Sequence, residues 1–356
     1  AHAKPDPLWS RGLGDVYKRQ AQQNARWHCS WRSGNPPELL GIKLIDYEEI
    51  LPKQGGGLNF DDVTASVFKE APSFQDQLML GIDHWRSRLQ GDFGIDVNGL
   101  QGISVGDANG DGLDDIYVCQ QGGLPNKLYV RNLNGTLKDV SAESGVDWMG
   151  LTRAVLFVDL DNDGDQDLAV AAYGMVLIAN NNKEKGFVPS VILKTSWSTA
   201  SMAAADYDND GLCDIYLCRL DGDNVFYRNL GGWKFENVTR TTGTACPSQF
   251  STGATFADID GDKDLDLLVT AMGQPNRIFQ NQGNSKFKDI TEASGIGTRY
   301  GSSSIALSDI DGDSDLDLYV VNYGAKSVLK DGGKIDIVNI NGCLLYTSDA
   351  ADEEDV

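Results

Sequence analysis

DYDNDGLCD, residues 206–214, recurs in four further versions along the same 356-residue chain: DANGDGLDD (107–115), DLDNDGDQD (159–167), DIDGDKDLD (258–266) and DIDGDSDLD (309–317). Positions one, three, five and nine carry nineteen aspartates and one asparagine, Asn109. The five loops hold 23 acidic residues and a single base, Lys263, so their net charge equals the −22 of the whole chain. Everything outside them is neutral on balance, which makes the acidity five clusters rather than a tail or a generally acidic surface. Carboxylates repel a phosphate backbone, so no nucleic-acid partner is expected. Hydrophobic residues at 41% are enough for a large core. No apolar run approaches the ~20 residues of a membrane helix.

The loops begin 52, 47, 52 and 51 residues apart, and their flanks recur with them. A small apolar strand precedes each loop (101–105, 154–158, 202–205, 254–257, 304–307) and another follows (116–118, 168–170, 215–217, 267–269, 318–320). A glycine turn then leads to a third strand with one pattern: NKLYVRN (126–132), NVFYRN (224–229) and NRIFQN (276–281). The fourth reads LKDVS (137–141), FENVT (235–239) and FKDIT (287–291), with the second copy degenerate around Gly186 and Phe187 and the fifth running through 334–340. Four short strands per unit of about fifty residues, none able to bury its faces alone, predict an all-β fold of β-propeller blades. A parallel β-helix is the weaker alternative, because its rungs are shorter.

Residues 60–64 (FDDVT) match the fourth-strand pattern with no loop before them. We therefore expect a partial ring, an open arc of about five four-stranded blades. Between 64 and the first loop, Phe74, Leu78, Ile82, Trp85 and Leu89 fall at helical spacing, with Ser73 as N-cap and Gly91 as stop, predicting a short helical insertion near residues 73–90. His84 on that helix reads as packing or surface rather than catalytic. Upstream, Trp27, Cys29 and Trp31 alternate, as do Leu40, Ile42 and Leu44, so 21–56 reads as the end of a β-containing domain.

The two ends read differently. Residues 15–20 (DVYKRQ) are encoded by GATGTGTATAAGAGACAG, and the reverse complement of that string, read from its second base, encodes CLLYTS, residues 343–348. Both strands of one oligonucleotide thus account for two ends of the chain, and we expect 1–20 and 343–356 to be adapter-derived, leaving 57–342 as the propeller arc. On that reading neither an export signal nor its absence is informative. The remaining cysteines, Cys29, Cys119, Cys213, Cys218 and Cys246, are odd in number and fit neither zinc nor CxxC spacing.

Hard oxygen donors at alternate positions of a tight loop suit Ca²⁺, which takes six to eight oxygens. The expected ligands are Asp107, Asn109, Asp111 and Asp115; Asp159, Asp161, Asp163 and Asp167; Asp206, Asp208, Asp210 and Asp214; Asp258, Asp260, Asp262 and Asp266; Asp309, Asp311, Asp313 and Asp317. Position seven (Leu113, Asp165, Leu212, Asp264, Asp315) would add its backbone carbonyl. Magnesium holds its water too tightly for so many carboxylates, and zinc would want His or Cys. An EF-hand needs Glu at position twelve, where these loops have Val118, Val170, Leu217, Val269 and Val320, and RTX arrays need a GGxGxD spacing that is absent.

The loop, together with N-x-[LF]-[YF]-x-N and F-x-[DN]-[VI]-[ST], resembles the FG-GAP/VCBS-type repeat of integrin-α-like propellers. ADYDNDG (205–211) and the F-x-D-[VI]-T ending are similar to the cartilage-acidic-protein-like group, whose propeller is often followed by an ASPIC/UnbV domain. The resemblance covers residues 57–340. It implies a commonly seven-bladed propeller with Ca²⁺ in its loops, in secreted, cell-surface or periplasmic proteins, serving adhesion to a protein or glycan ligand. The expected function is accordingly a calcium-stabilised scaffold and not an enzyme. The alternatives are a polysaccharide lyase or hydrolase, or a lectin using Trp148, Trp197, Trp233, Tyr173 and Tyr323, against which the lack of GxSxG, HExxH and P-loop motifs and the core-like placement of blade aromatics weigh.

Position six, where the loop turns sharply, is Gly in the first three loops but Lys263 and Ser314 in the last two. A left-handed non-glycine residue costs about 1 kcal/mol, although Gly261 and Gly312 at position four offer relief. Calcium titration of variants carrying Asp→Asn in one loop at a time is expected to rank loops four and five weakest; loop four tightest would overturn that ranking.

Overall fold

The computed structural model describes residues 22–32, 38–50, 62–89, 101–182, 185–195, 199–296, 301–310, 315–322, 335–340 and 343–348. β1 (Gln22–Arg32) and β2 (Glu38–Ile50) form an antiparallel hairpin that sets Trp27 opposite Leu44 and Cys29 opposite Ile42. This hairpin belongs to a separate compact unit and is described by itself.

The second unit is built of blades. The first comprises β3 (Ile103–Gly106), β4 (Asp115–Val118), β5 (Lys127–Arg131) and β6 (Leu137–Asp139), hydrogen-bonded in that order. The second comprises β7 (Thr152–Val158), β8 (Asp167–Ala172), β9 (Met175–Asn182) and β10 (Gly186–Lys194). The third comprises β11 (Thr199–Ala205), β12 (Asp214–Arg219), β13 (Val225–Asn229) and β14 (Phe235–Asn237). The fourth comprises β15 (Ser251–Ala257), β16 (Asp266–Ala271), β17 (Arg277–Asn281) and β18 (Phe287–Asp289). β19 (Ser302–Ser308) and β20 (Asp317–Asn322) begin the fifth. Every described neighbour pair is antiparallel, and each acidic loop joins the first strand of a blade to the second.

The apolar runs after loops two, three and four become strands buried on both faces, as a continuous apolar run of this length predicts. Leu168, Ala169, Val170 and Ala171 are buried, as are Ile215, Tyr216, Leu217 and Cys218. Alternate residues point to opposite blade faces, so each core lies between two blades rather than inside one. Tyr117, Cys119 and Leu128 meet Val155, Leu168 and Phe187. Tyr216, Cys218 and Phe226 meet Leu267, Val269 and Phe279. Burying one such side chain contributes roughly 1.5–3 kcal/mol. Gly106 shows how close the sheets come: a Cβ there would sit 2.8 Å from the Cβ of Phe157.

Recurring asparagines lock blade to blade. Asn181, Asn229 and Asn281 are buried at the ends of their third strands. Each donates Nδ2 to the position-two carbonyl of the preceding blade's loop, at 2.8 Å to Ala108, Leu160 and Tyr207 respectively. The asparagines opening these strands work in the other direction. Asn224 donates to Ser251 Oγ at 2.9 Å, Asn276 donates to Ser302 Oγ at 2.8 Å, and Asn126 accepts from Thr152 Oγ1 at 2.7 Å. Thr152, Ser251 and Ser302 each open, or stand at the opening of, the following blade's first strand. In blade one the register places Arg131, not Asn132, where the other blades have the latch asparagine.

The short helical insertion expected near 73–90 is present in two pieces, a π-type turn (Phe74–Leu78) and a short α-helix (Ile82–Arg86), separated at Gly81, whose ψ of 172° is extended. Two expectations need correction. Ser73 does not cap; its hydroxyl lies 3.1 Å from Tyr129 OH, because the insertion packs Phe68 and Leu78 over Tyr129 and Leu137. The strand over 334–340 is present as β21 (Ile335–Ile340), but among the described residues it pairs with β22 (Cys343–Ser348) rather than completing blade five. In FDDVT, Thr64 starts a helical turn as Thr239 and Thr291 do, while Phe60 and Asp61 lie outside the described residues.

Asn229→Ala would orphan the carbonyls of Leu160 and Cys213, which its amide holds at 2.8 and 3.1 Å. Denaturant unfolding is expected to show a loss of about 2–4 kcal/mol, since each buried acceptor left unpaired costs roughly 1–3 kcal/mol. A change below 0.5 kcal/mol (the range of an ordinary surface substitution, roughly ±0.5) would remove the latch role.

Candidate metal centres

Position nine is the root of each loop. Asp115, Asp167, Asp214 and Asp266 are fully buried. Their Oδ2 atoms accept the N–H of position two, from Ala108, Leu160, Tyr207 and Ile259, at 2.9–3.2 Å. Their Oδ1 atoms accept a third-strand N–H, from Arg131, Asn181, Asn229 and Asn281, at 2.7–2.9 Å. One carboxylate therefore ties the start of the loop to a strand two removed in the sheet. Asp317 repeats the first half, accepting Ile310 N–H at 2.8 Å.

Above that root the loop curls on its own carboxylates. Position one accepts the N–H of position six: Gly112 to Asp107, Gly164 to Asp159, Gly211 to Asp206 and Lys263 to Asp258, at 2.8–3.0 Å. Position five accepts the N–H of position seven: Leu113 to Asp111, Asp165 to Asp163, Leu212 to Asp210 and Asp264 to Asp262. Positions four and six are left-handed throughout these four loops, including Asn162, Asn209 and Lys263 at φ 60, 58 and 77°. Gly261 therefore does not relieve Lys263, which keeps the strained conformation. Neighbouring loops also touch: Asn162 donates to Gly211 O, and Asn209 donates to Asp264 Oδ1 at 2.9 Å.

This curl brings carboxylates together. Asp159, Asp161 and Asp167 form one group, Asp206, Asp208 and Asp210 a second, and Asp258, Asp260 and Asp262 a third, each with oxygens within 4.8 Å of one another. Oxygens that share one calcium at 2.3–2.6 Å are at most about 5 Å apart, so the spacing fits. Asp159 Oδ1 is buried with no hydrogen-bond partner, an unsatisfied anionic oxygen at the mouth of the second loop. In loop one, Asn109 Nδ2 donates instead to Asp111 Oδ2 at 3.0 Å. In loop five, Asp309, Asp315 and Asp317 are described, while Asp311, Asp313 and Ser314 lie outside the described residues.

A family model for the FG-GAP-like repeat matches residues 107–170, 159–217, 206–269 and 264–320, together more than half of the chain. The chain belongs to the FG-GAP-like repeat family. Cartilage acidic protein 1 of Mus musculus is 29% identical over 215 residues, 52% of this chain and 31% of that protein. The Xenopus tropicalis counterpart is 26% identical over 223 residues, 56% of this chain and 34% of its own length. The human one is 28% identical over 215 residues, again 52% and 31%. The matched stretch thus spans about a third of these relatives.

The aromatics considered for sugar stacking divide. Trp148 and Trp233 pack against inter-blade cores, Tyr173 is 65% exposed, and Trp197 and Tyr323 lie outside the described residues. His84 makes an edge contact with Trp85. Cys119, Cys213, Cys218 and Cys246 are free thiols. Third-strand residues that reach into the loops, foremost Arg228, were not foreseen; Arg228 Nε lies 2.7 Å from Asp208 Oδ2. Their signal was a polar side chain recurring inside an otherwise apolar strand.

Burial pushes the Asp167 carboxyl up to about 6 and Asp214 up to about 7, against the amide bonds that hold their ionised forms. Asp115 and Asp266 rise for the same reason. At Asp139 and Asp289 burial is outweighed by bonds from Ser141 and Thr291 and by Lys127 and Arg277, and both lie below 3.8. A carboxyl raised on folding contributes stability fully below its unfolded value of 3.8, and that contribution is lost as pH climbs through 6 and 7. The lowered pair acts only under more acid conditions. Chelator-treated protein is therefore expected to melt higher at pH 5.5 than at pH 8; the reverse order would contradict the burial of these aspartates.

Proposed function

We propose that the chain is a calcium-stabilised propeller scaffold whose ions are structural and whose surface meets a protein or glycan outside the cell. The observation that carries this reading is Asp159 Oδ1, buried and without a donor beside the carboxylates of Asp161 and Asp167. A cation is the missing partner such an oxygen calls for. Expected ligands in each loop are positions one, three, five and nine with the carbonyl of position seven, up to five ions in all. The domain reading keeps 57–342 as an arc of a larger ring.

Homology to cartilage acidic protein 1 supports the extracellular, adhesive reading, and weak sites suffice where calcium is millimolar. Proton-transfer chemistry is disfavoured physically. The one aspartate raised to about 7, Asp214, is sealed from solvent with both oxygens on backbone amides, so it has no path to a substrate. Exposed Tyr173 supports glycan contact as a secondary role. Among the described residues no helix is long and apolar enough to cross a membrane.

Thermal melting with calcium and with chelator tests the structural role. At free calcium ten times the dissociation constant each site adds about 1.4 kcal/mol, so the midpoint is expected to fall on chelation. Equilibrium dialysis of Asp161→Asn is expected to show one ion fewer than the parent. An unchanged midpoint with no bound calcium would end this reading.

A further inference from the structure

In blades two to four the third-strand residue just before the one that binds position nine reaches into its own blade's loop, and it differs from blade to blade. In blade one it is Val130, which carries no polar group. In blade two Asn180 Nδ2 donates to Asp161 Oδ2 at 3.3 Å. In blade four Gln280 Nε2 donates to Asp260 Oδ2. In blade three it is Arg228, whose Nε lies 2.7 Å from Asp208 Oδ2 and whose Nη2 donates to Asp210 Oδ2 at 2.8 Å. Asp208 is 7% exposed, so this ion pair is shielded on the carboxylate side.

The chemical difference is decisive. Asparagine and glutamine orient a ligand carboxylate without altering the charge of the site. A guanidinium adds a full positive charge that no accessible pH removes, and it engages positions three and five together. We propose that Arg228 is a resident counter-cation: it offsets one of the four negative charges of loop three without metal and makes that loop a weaker calcium site than loops two and four. The proposal rests on the calcium reading of those two loops. The order read from position six alone then holds only among loops that lack such a cation.

The test exchanges the two residues in the full-length chain. Calcium alone is titrated calorimetrically into chelator-stripped protein, and the stripped proteins are melted in parallel. Arg228→Gln is expected to tighten one site by about tenfold or more and to lower the chelated melting midpoint. Adding Asp210→Asn to that variant is expected to abolish the gain, which locates it in loop three. The reciprocal Gln280→Arg is expected to weaken one site by about tenfold while raising the chelated midpoint, and it carries the test should Arg228→Gln fail to fold. Calcium curves unchanged in both variants, or a site lost in Arg228→Gln, would overturn the proposal while leaving the calcium reading intact. No calcium uptake by any protein would refute the calcium reading, and the ranking of sites with it, even with the chelated midpoints still moving in opposite directions.

Discussion

A buried carboxylate that accepts backbone amides from two sides is the constraint on which the rest of each blade depends. Asp167 holds Leu160 N–H on one oxygen and Asn181 N–H on the other, and Asp115, Asp214 and Asp266 do the same in their blades. An ionised group out of water is tolerated only when such bonds replace its hydration. Once made, they fix the turn between strands one and two against strand three. The remaining carboxylates of the loop then have little freedom, because successive N–H groups of the curl point back at positions one and five.

The consequence is a concentration of like charge on one short segment, repeated blade after blade. The four or five carboxylates of one loop repel at close range, a pair by about 1 kcal/mol at 4 Å even in a water-like dielectric. The fold meets that repulsion in more than one way. Backbone amides satisfy part of it in every described loop. In loop three a guanidinium supplies an internal cation beside Asp208 and Asp210, while both Asp208 oxygens, like Asp159 Oδ1 in loop two, are buried without a hydrogen-bond donor. Loops of near-identical sequence are thus electrostatically different sites.

Blade stacking is held by two kinds of contact that share the same residues. Apolar faces close over one another, with Tyr117 and Phe157 meeting edge to face across the first interface. Around that apolar contact, asparagines at the start and end of the third strands hydrogen-bond forward to the next blade and back to the preceding loop. Since Asn181 and Asn229 bind a loop carbonyl of the blade before them, the acidic loops and the inter-blade joints are one hydrogen-bonded system.

Period, strand type, loop chemistry and the central burial of runs such as DLAVAA were legible in the amino-acid order, because each is a local pattern: spacing of aspartates, alternation of apolar residues, glycine at the turns. The break of the insertion at Gly81 was not, because apolar spacing alone does not register a residue whose backbone prefers an extended conformation there. Nor were the partners of Asn181, Asn229 and Arg228. A strand motif names the residue but not the neighbour it meets, and these side chains bond to groups 15 to 73 residues away, as Asn181 with Ala108 or Gln166 and Asn229 with Leu160 or Cys213 illustrate. Local sequence determined that five loops carry hard oxygen donors; only the stacking of sheets decided which oxygens are buried, which are bonded and which lie beside a cation, since those properties arise from atoms brought together across blades.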